Sequence, residues 1–348
     1  MDNLSDSTRR ILNDADRIQK RDAWYSRLSN LFNGKPGADV FSISGVGIWS
    51  ETPADPYSNP EKWVADSLEK LAENIHKTDN EITFVPPILQ SYIYGVHFTD
   101  KIFGSDVYMD ATSGQWYNKY LDIDVGTLET PDLASNETWQ IAKRTAEEFV
   151  RLDVSLPVFG LPIIASVLNI AVNLFGEKIL TAMLTEPEAA RHDLIVINNL
   201  LIEMHKWYRS VIPERQLQCT VAVNRTEPPG FGQLCGCTTH LVSKEIYADF
   251  IAPLDDELLA VYPNGGLIHF CGAHGQHIET FRSMPHLRAV QLNDRAAADL
   301  QLYFDGLRDD QIIYICLFDG MPLDKAMEIT HGRRLVIQGT LANAVPVS

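Results

Sequence analysis

His269 and Cys271 stand two residues apart in the run Leu267-Ile268-His269-Phe270-Cys271-Gly272. Side chains alternate across a β-strand, so positions i and i+2 share a face. An imidazole nitrogen beside a thiolate sulfur suits Zn²⁺, a borderline-soft ion. Gly272 follows and leaves room for a ligand. Zinc normally takes three protein ligands when a fourth position is kept for chemistry, and Cys316, at the end of Ile313-Tyr314-Ile315-Cys316, is the candidate for the third. Cys235-Gly236-Cys237, with His240 three residues on, is a second source of donors, although its spacing is too short for a zinc knuckle. Cys235, Cys237 and His240, with Asn293 and Gln338, are expected on the substrate side of the site. Cys219 reads as a packing residue, cysteine being among the most often buried types. His274, His277 and His286 read as members of a solvated loop.

Carboxylates supply the general acid–base candidates. Asp294 ends the Arg288–Leu292 run, Asp100 lies in Phe98-Thr99-Asp100, and Asp319 follows Cys316. Asp100 and Asp294 are the two expected to act.

Four short apolar runs dominate the last third: 267–272, 288–292, 311–317 and 335–339. Helical or turn-like segments separate them, and alternation of this kind argues for parallel strands joined by crossovers. Upstream, 41–49 reads as a first strand, Glu81–Pro86 as another, and Leu156–Gly160 as a buried one. Ile11 to Phe32 recur at helical spacing, Asn59-Pro60 caps a helix, and Ser91–Phe103 reads as helical up to Gly104. Thr185-Glu186-Pro187-Glu188 is a capping box opening a helix, and Ser243-Lys244-Glu245 opens another that Pro253 should bend. About eight strands in 348 residues suggest one closed (β/α)₈ barrel. The expected organisation is a helical extension over 1–36 and a barrel over 37–348.

The chain carries 29 basic and 46 acidic side chains, a formal charge of −17, which disfavours nucleic acid and anionic membrane surfaces. Val154–Phe175 lacks charged residues, but Pro157, Gly160 and Pro162 read better as strand, turn and core helix than as a membrane span. The N-terminus is polar, without the apolar core of a secretion signal. Five cysteines in a chain this long are not a disulfide framework, and a reducing cytoplasm is expected. No glycine-rich dinucleotide or phosphate loop occurs.

From Leu156 onward the chain resembles the uroporphyrinogen decarboxylase superfamily. The resemblance rests on Leu156–Gly160, Leu174-Phe175-Gly176-Glu177 before Pro187-Glu188, Ser243–Pro253, His269–Gly272, Leu292-Asn293-Asp294 and Gln338-Gly339. It implies a (β/α)₈ TIM barrel and one of two activities. One is cofactor-free decarboxylation of uroporphyrinogen, a lyase reaction; the other is methyl transfer between a corrinoid protein and a thiol, with zinc binding the thiolate. Phe98-Thr99-Asp100 is similar to a Phe-Ser-Asp segment of the decarboxylases, but their Arg-Gln-Ala-Gly-Arg-Tyr motif is missing. His269-Phe270-Cys271 matches the His-x-Cys of the methyltransferase branch. That branch takes its last cysteine ligand from the final strand, whereas 335–341 here has none and Cys316 is one strand earlier. The expectation is therefore a methyltransferase using Zn²⁺ on His269, Cys271 and Cys316, a small-molecule thiol substrate and a methylcorrinoid carried by a partner protein. It is compatible with a homodimer. A metal-free decarboxylase and a non-catalytic ligand-binding barrel are the alternatives.

Overall fold

Apolar runs bounded by turn residues become strands because they can bury both faces, and the last third of the chain follows that rule. A computed structural model describes residues 4–35, 40–44, 55–78, 86–162, 164–219 and 226–339. In chain order the strands are β1 (Val40–Ser44), β2 (Ile88–Gln90), β3 (Val107–Met109), β4 (Trp116–Asn118), β5 (Val158–Gly160) and β6 (Leu217–Gln218). They continue as β7 (Gly232–Cys235), β8 (Gly266–Phe270), β9 (Leu287–Leu292), β10 (Ile312–Cys316) and β11 (Leu335–Gly339). Strands β1-β11-β10-β9-β8-β7 form one sheet and β2-β5-β6 a second, and every ladder in both is parallel. Strands β3 and β4 pair separately as an antiparallel hairpin.

This is the α/β architecture with crossover helices that the alternation implies. A barrel closed by eight strands is not seen among the described residues; instead the parallel strands form one sheet of six and one of three. An isolated parallel bridge, Ala165 to Cys235, reaches from the chain beyond β5 to the end of β7. The second sheet is short because β2, β5 and β6 each contribute only two or three ladder residues. The expected strand at 81–86 falls almost wholly outside the described residues, and so does the second half of that expected over 41–49.

Most helical expectations hold with local corrections. The first helix is two, Asp6–Leu12 and Ala15–Phe32, because Asp14 caps the second through Arg17 N. Asn59 caps Pro60–Glu73 by accepting from Lys62 N. Ser91–Phe103 is broken: a 3₁₀ turn over Gly95–His97 precedes the short helix Phe98–Ile102, with Tyr94 left-handed at φ 55°. Glu186, not Thr185, precedes Pro187–Val211, and no side chain caps that helix. Pro253 cannot donate to the turn before it, and the chain winds as a π-helix over Tyr247–Ile251 before Ala252–Leu259.

The uncharged stretch after Val154 is a buried strand, a turn and the core helix Val167–Phe175. That helix meets Glu177–Thr185 at 108°, and no single described helix is long and apolar enough to cross a membrane.

Polar groups are buried among these layers too. Cys219, Tyr262 and His205 form a chain in which the Tyr262 hydroxyl lies 2.8 Å from Cys219 Sγ and 2.6 Å from His205 Nδ1. Glu227 accepts from Cys219 N and is wholly buried. Burial pushes its carboxyl from 4.5 up to about 8, only partly offset by that backbone bond. An acid whose folded pKa is raised holds a proton that the unfolded chain has lost, so stability falls as pH rises from 4.5 through 8. Glu227→Gln keeps the acceptor and removes the titration. Between pH 5 and pH 8 the wild type should lose on the order of a few kcal/mol of unfolding free energy that the variant retains; denaturant melts at both pH values measure it, and parallel losses in the two proteins would contradict the assignment.

Candidate metal centre

Parallel register brings the reactive side chains together. Cys235 of β7 is paired with His269 of β8, and His269 with Gln291 of β9. Laterally paired residues in a sheet point the same way, so a thiol, an imidazole and an amide stand in a row at the C-terminal ends of their strands. Ile268 and Phe270 take the opposite face, where Phe270 stacks on Phe281 and lies 4.6 Å from the His274 ring. His269 and Cys271 share the inner face, with Cys271 Sγ 3.1 Å from His269 Nε2.

The chain then turns sharply after Cys235. Gly236 packs directly on β8: a Cβ there would lie 2.8 Å from Ile268 Cγ2. Only glycine lets the Cys235-Gly236-Cys237 segment fold down so closely. As a result Cys235 Sγ and Cys237 Sγ are 3.5 Å apart, and the donor atoms of Cys235, Cys237 and His269 all lie within 4.8 Å of one another.

His269 is locked. Its Nδ1 donates to Gln291 Oε1, and Gln291 Nε2 donates to Gln338 Oε1 at 2.7 Å and Asn293 Oδ1 at 2.9 Å. An imidazole that donates from Nδ1 keeps its Nε2 lone pair free, and Nε2 faces the thiols. Cys235 Sγ accepts from Asn169 Nδ2 at 3.7 Å, while Asn169 Oδ1 holds Thr238 through its backbone N–H at 3.0 Å. The Cys235 thiol pushes Cys237 up to about 12, with burial adding and Cys271 opposing. Cys271 is raised as well, by Cys237 first, against the opposing effect of His269.

These residues fit a divalent soft cation. With metal–sulfur bonds of about 2.3 Å and metal–nitrogen bonds of about 2.0 Å, tetrahedral ligands lie about 3.5–3.8 Å apart. The thiol pair, at 3.5 Å, is slightly closer than the sulfur–sulfur separation at the upper end of that range. Cys237 resists ionising chiefly because Cys235 crowds it, a penalty that a cation between them would remove.

The remaining candidates fall around this centre in different ways. Cys316 donates to Gln338 Oε1 at 3.4 Å, and it is not one of the three grouped donors. Gln338 and Asn293 belong to the amide network behind His269. His240 is exposed, its Nδ1 donating to Cys237 O at 2.6 Å. Asp294 is exposed at a left-handed φ of 47°, opening the helix Asp294–Ala298. Asp319 is exposed, and Cys219 is buried in the polar chain described above.

Asp100 is fully buried on Phe98–Ile102, where its Oδ2 accepts from His97 Nδ1 and Asn173 Nδ2, both at 2.7 Å. Burial raises its pKa against those bonds. Asn173 lies one turn from Asn169, so the helix Val167–Phe175 touches both Asp100 and the thiol cluster.

One sequence reading is overturned: His274 and His277 are buried, not solvated. His277 packs 4.5 Å from the Tyr247 ring and donates to Thr239 O at 2.9 Å, and His274 sits on Phe270. Apolar rings on the outer face of β8 draw in the loop. His286 does remain partly exposed, paired with Asp256.

Gln291 and Asn169 were not among the sequence candidates. The signal for each was a lone amide within an apolar run, since a buried amide must find partners.

The fold class is that of an α/β protein with parallel sheets. No family model and no curated protein matches the chain. Among solved structures, a methyltransferase from Methanosarcina mazei is similar over 93% of this chain and 95% of its own, with a TM-score of 0.64 and 12% identity. At that identity the likeness shows a shared fold.

Gln291→Ala should leave the protein folded but lower its affinity for Zn²⁺ by about 10–100-fold, the usual cost of losing a hydrogen bond behind a metal-binding histidine. Competition with a chromogenic chelator reads this directly; an unchanged affinity would mean that the Gln291 contact does not orient His269.

Proposed function

We propose that this protein is a zinc-dependent methyltransferase that takes a methyl group from a corrinoid partner and passes it to a small thiol. The observation that carries the reading is the convergence of Cys235, Cys237 and His269 within 4.8 Å. Two thiols and one imidazole make a catalytic zinc set of the kind that keeps one position for substrate. The structural likeness to a methyltransferase supports the same reading. Cys235 and Cys237 take the place of the late cysteine that β11 lacks.

Bound there, zinc would stabilise a substrate thiol as its thiolate at neutral pH. The chain's own groups prepare for this. Gln291 holds His269 in the tautomer whose Nε2 lone pair faces inward. Asn169 fixes Cys235 and the turn that carries Cys237. Asp100 and His97, braced by Asn173, form a second polar group at the far end of the same helix, suited to moving a proton. The corrinoid protein docks in this reading as a separate partner, and its methyl group leaves as a methyl cation equivalent to the substrate sulfur.

Protein purified without chelator should contain about one zinc per chain, and Cys237→Ala should lower zinc affinity by more than the roughly 10–100-fold typical of a supporting hydrogen-bond partner. With methylcobalamin and a small alkanethiol, the zinc-loaded wild type should release the methyl thioether, detected by mass spectrometry, and the variant should not. A chain that neither contains nor takes up zinc would sink the proposal.

A further inference from the structure

The Cys235–Cys237 pair carries a chemistry that methyl transfer does not use. All five cysteines of the chain are thiols, and their surroundings differ. Cys219 is buried, with the Tyr262 hydroxyl 2.8 Å from its sulfur. Cys316 stands on β10 and donates to Gln338 Oε1. Cys271 Sγ lies 3.1 Å from His269 Nε2. Cys235 and Cys237 are both partly exposed, and their sulfurs are 3.5 Å apart.

The backbone between the two suits a covalent bond. Two residues of extended strand span about 6.6 Å, and a disulfide bridges Cα atoms roughly 4.4–6.8 Å apart. Gly236, at φ −109° and ψ 29°, is bent rather than extended, which draws its neighbours closer still. Asn169 ties both ends of the turn: its Nδ2 donates to Cys235 Sγ, and its Oδ1 accepts from Thr238 N at 3.0 Å. The sulfurs therefore stand side by side before any oxidant arrives. Rotation of the two side chains closes the remaining gap without moving β7 against β8. A bridge from Cys237 to Cys271 would instead join two strand ends and withdraw Cys271 from His269.

We propose that Cys235 and Cys237 form an oxidative modification site, a reversible disulfide that switches the metal centre off. Hydrogen peroxide passes one oxygen to one of the two thiols; its O–O bond breaks, water leaves, and a sulfenic acid forms. The other thiol attacks that sulfur, the S–S bond forms as the S–O bond breaks, and the oxygen leaves as a second water carrying the attacking thiol's proton. The two sulfurs give up two electrons and the peroxide takes them. A bridged pair no longer supplies the thiolates that a soft cation requires, so the centre loses two of its three donors. That consequence rests on the metal reading; the bridge itself does not. Because both sulfurs are partly exposed, small thiols reach the bond and reduce it.

Reduced, metal-stripped full-length protein is treated with hydrogen peroxide, capped with N-ethylmaleimide and cut with trypsin. The peptide 226–244 carries Cys235 and Cys237, and 245–282 carries Cys271. Peptide 226–244 should come off uncapped and two hydrogens lighter, with two of the five thiols lost to capping and regained after dithiothreitol. Zinc-loaded protein should release its metal to a chromogenic chelator in step with the bridge. A cross-link between the two peptides, five thiols still capped after peroxide, or oxygen adducts that dithiothreitol does not remove would overturn the inference. Zinc that stays bound while the bridge forms would overturn the switch. A chain that takes up no zinc yet forms the bridge keeps the modification site and removes the metal reading; one that holds zinc and forms no bridge does the reverse.

Discussion

The centre depends on one hydrogen bond made across a parallel ladder, from His269 Nδ1 to Gln291 Oε1. An imidazole can turn about its ring axis and carry its proton on either nitrogen, and only one arrangement presents a lone pair to the thiols. Gln291 selects it, and Gln338 and Asn293 fix Gln291 in turn by accepting from its amide. A buried amide left half-satisfied would cost about 1–3 kcal/mol, so the network holds its own orientation. The register of β8 against β9 makes this possible, because it places the two side chains opposite one another on the inner face.

Behind the centre the protein is buried and aromatic. Phe270, Phe281, Tyr247, His274 and His277 pack on the outer face of β8, and burial brings His274 down to about 4, so it stays neutral. This layer holds the loop that follows Cys271 against the strand without adding charge near the thiols. On the other flank, the helix Val167–Phe175 carries Asn169 and Asn173 one turn apart. One holds the thiol turn and the other holds Asp100. A single rigid element thus spaces the soft-metal donors from the carboxylate–imidazole pair, and neither group perturbs the other directly.

Much of the fold was legible in the chain because periodicity is local. Strands β8 to β11, the buried run after Val154 and the caps at Asn59 and Ser243 follow from side chains only a few residues apart. The pairing of His269 with Cys271 was legible for the same reason, alternation needing only two residues. The division into a sheet of six strands and a sheet of three was not, since β2, β5 and β6 are too short to carry a pattern. The burial of His274 and His277 was missed because a polar loop looks solvated until the rings that cover it are known.

The donor types themselves were visible in the sequence: thiols and an imidazole at strand ends, without a late cysteine to complete them. Which of them converge was decided only in three dimensions. Cys235 and Cys237 lie more than thirty residues before His269, and they reach it because β7 and β8 pair in parallel with Cys235 beside His269. Gly236 then lets the turn collapse onto β8. Cys316, closer to expectation in the sequence, lies on β10 beside Gln338. Residue chemistry is a property of the chain, but lateral neighbourhood in a sheet is set by strand order and register, which long-range packing alone determines.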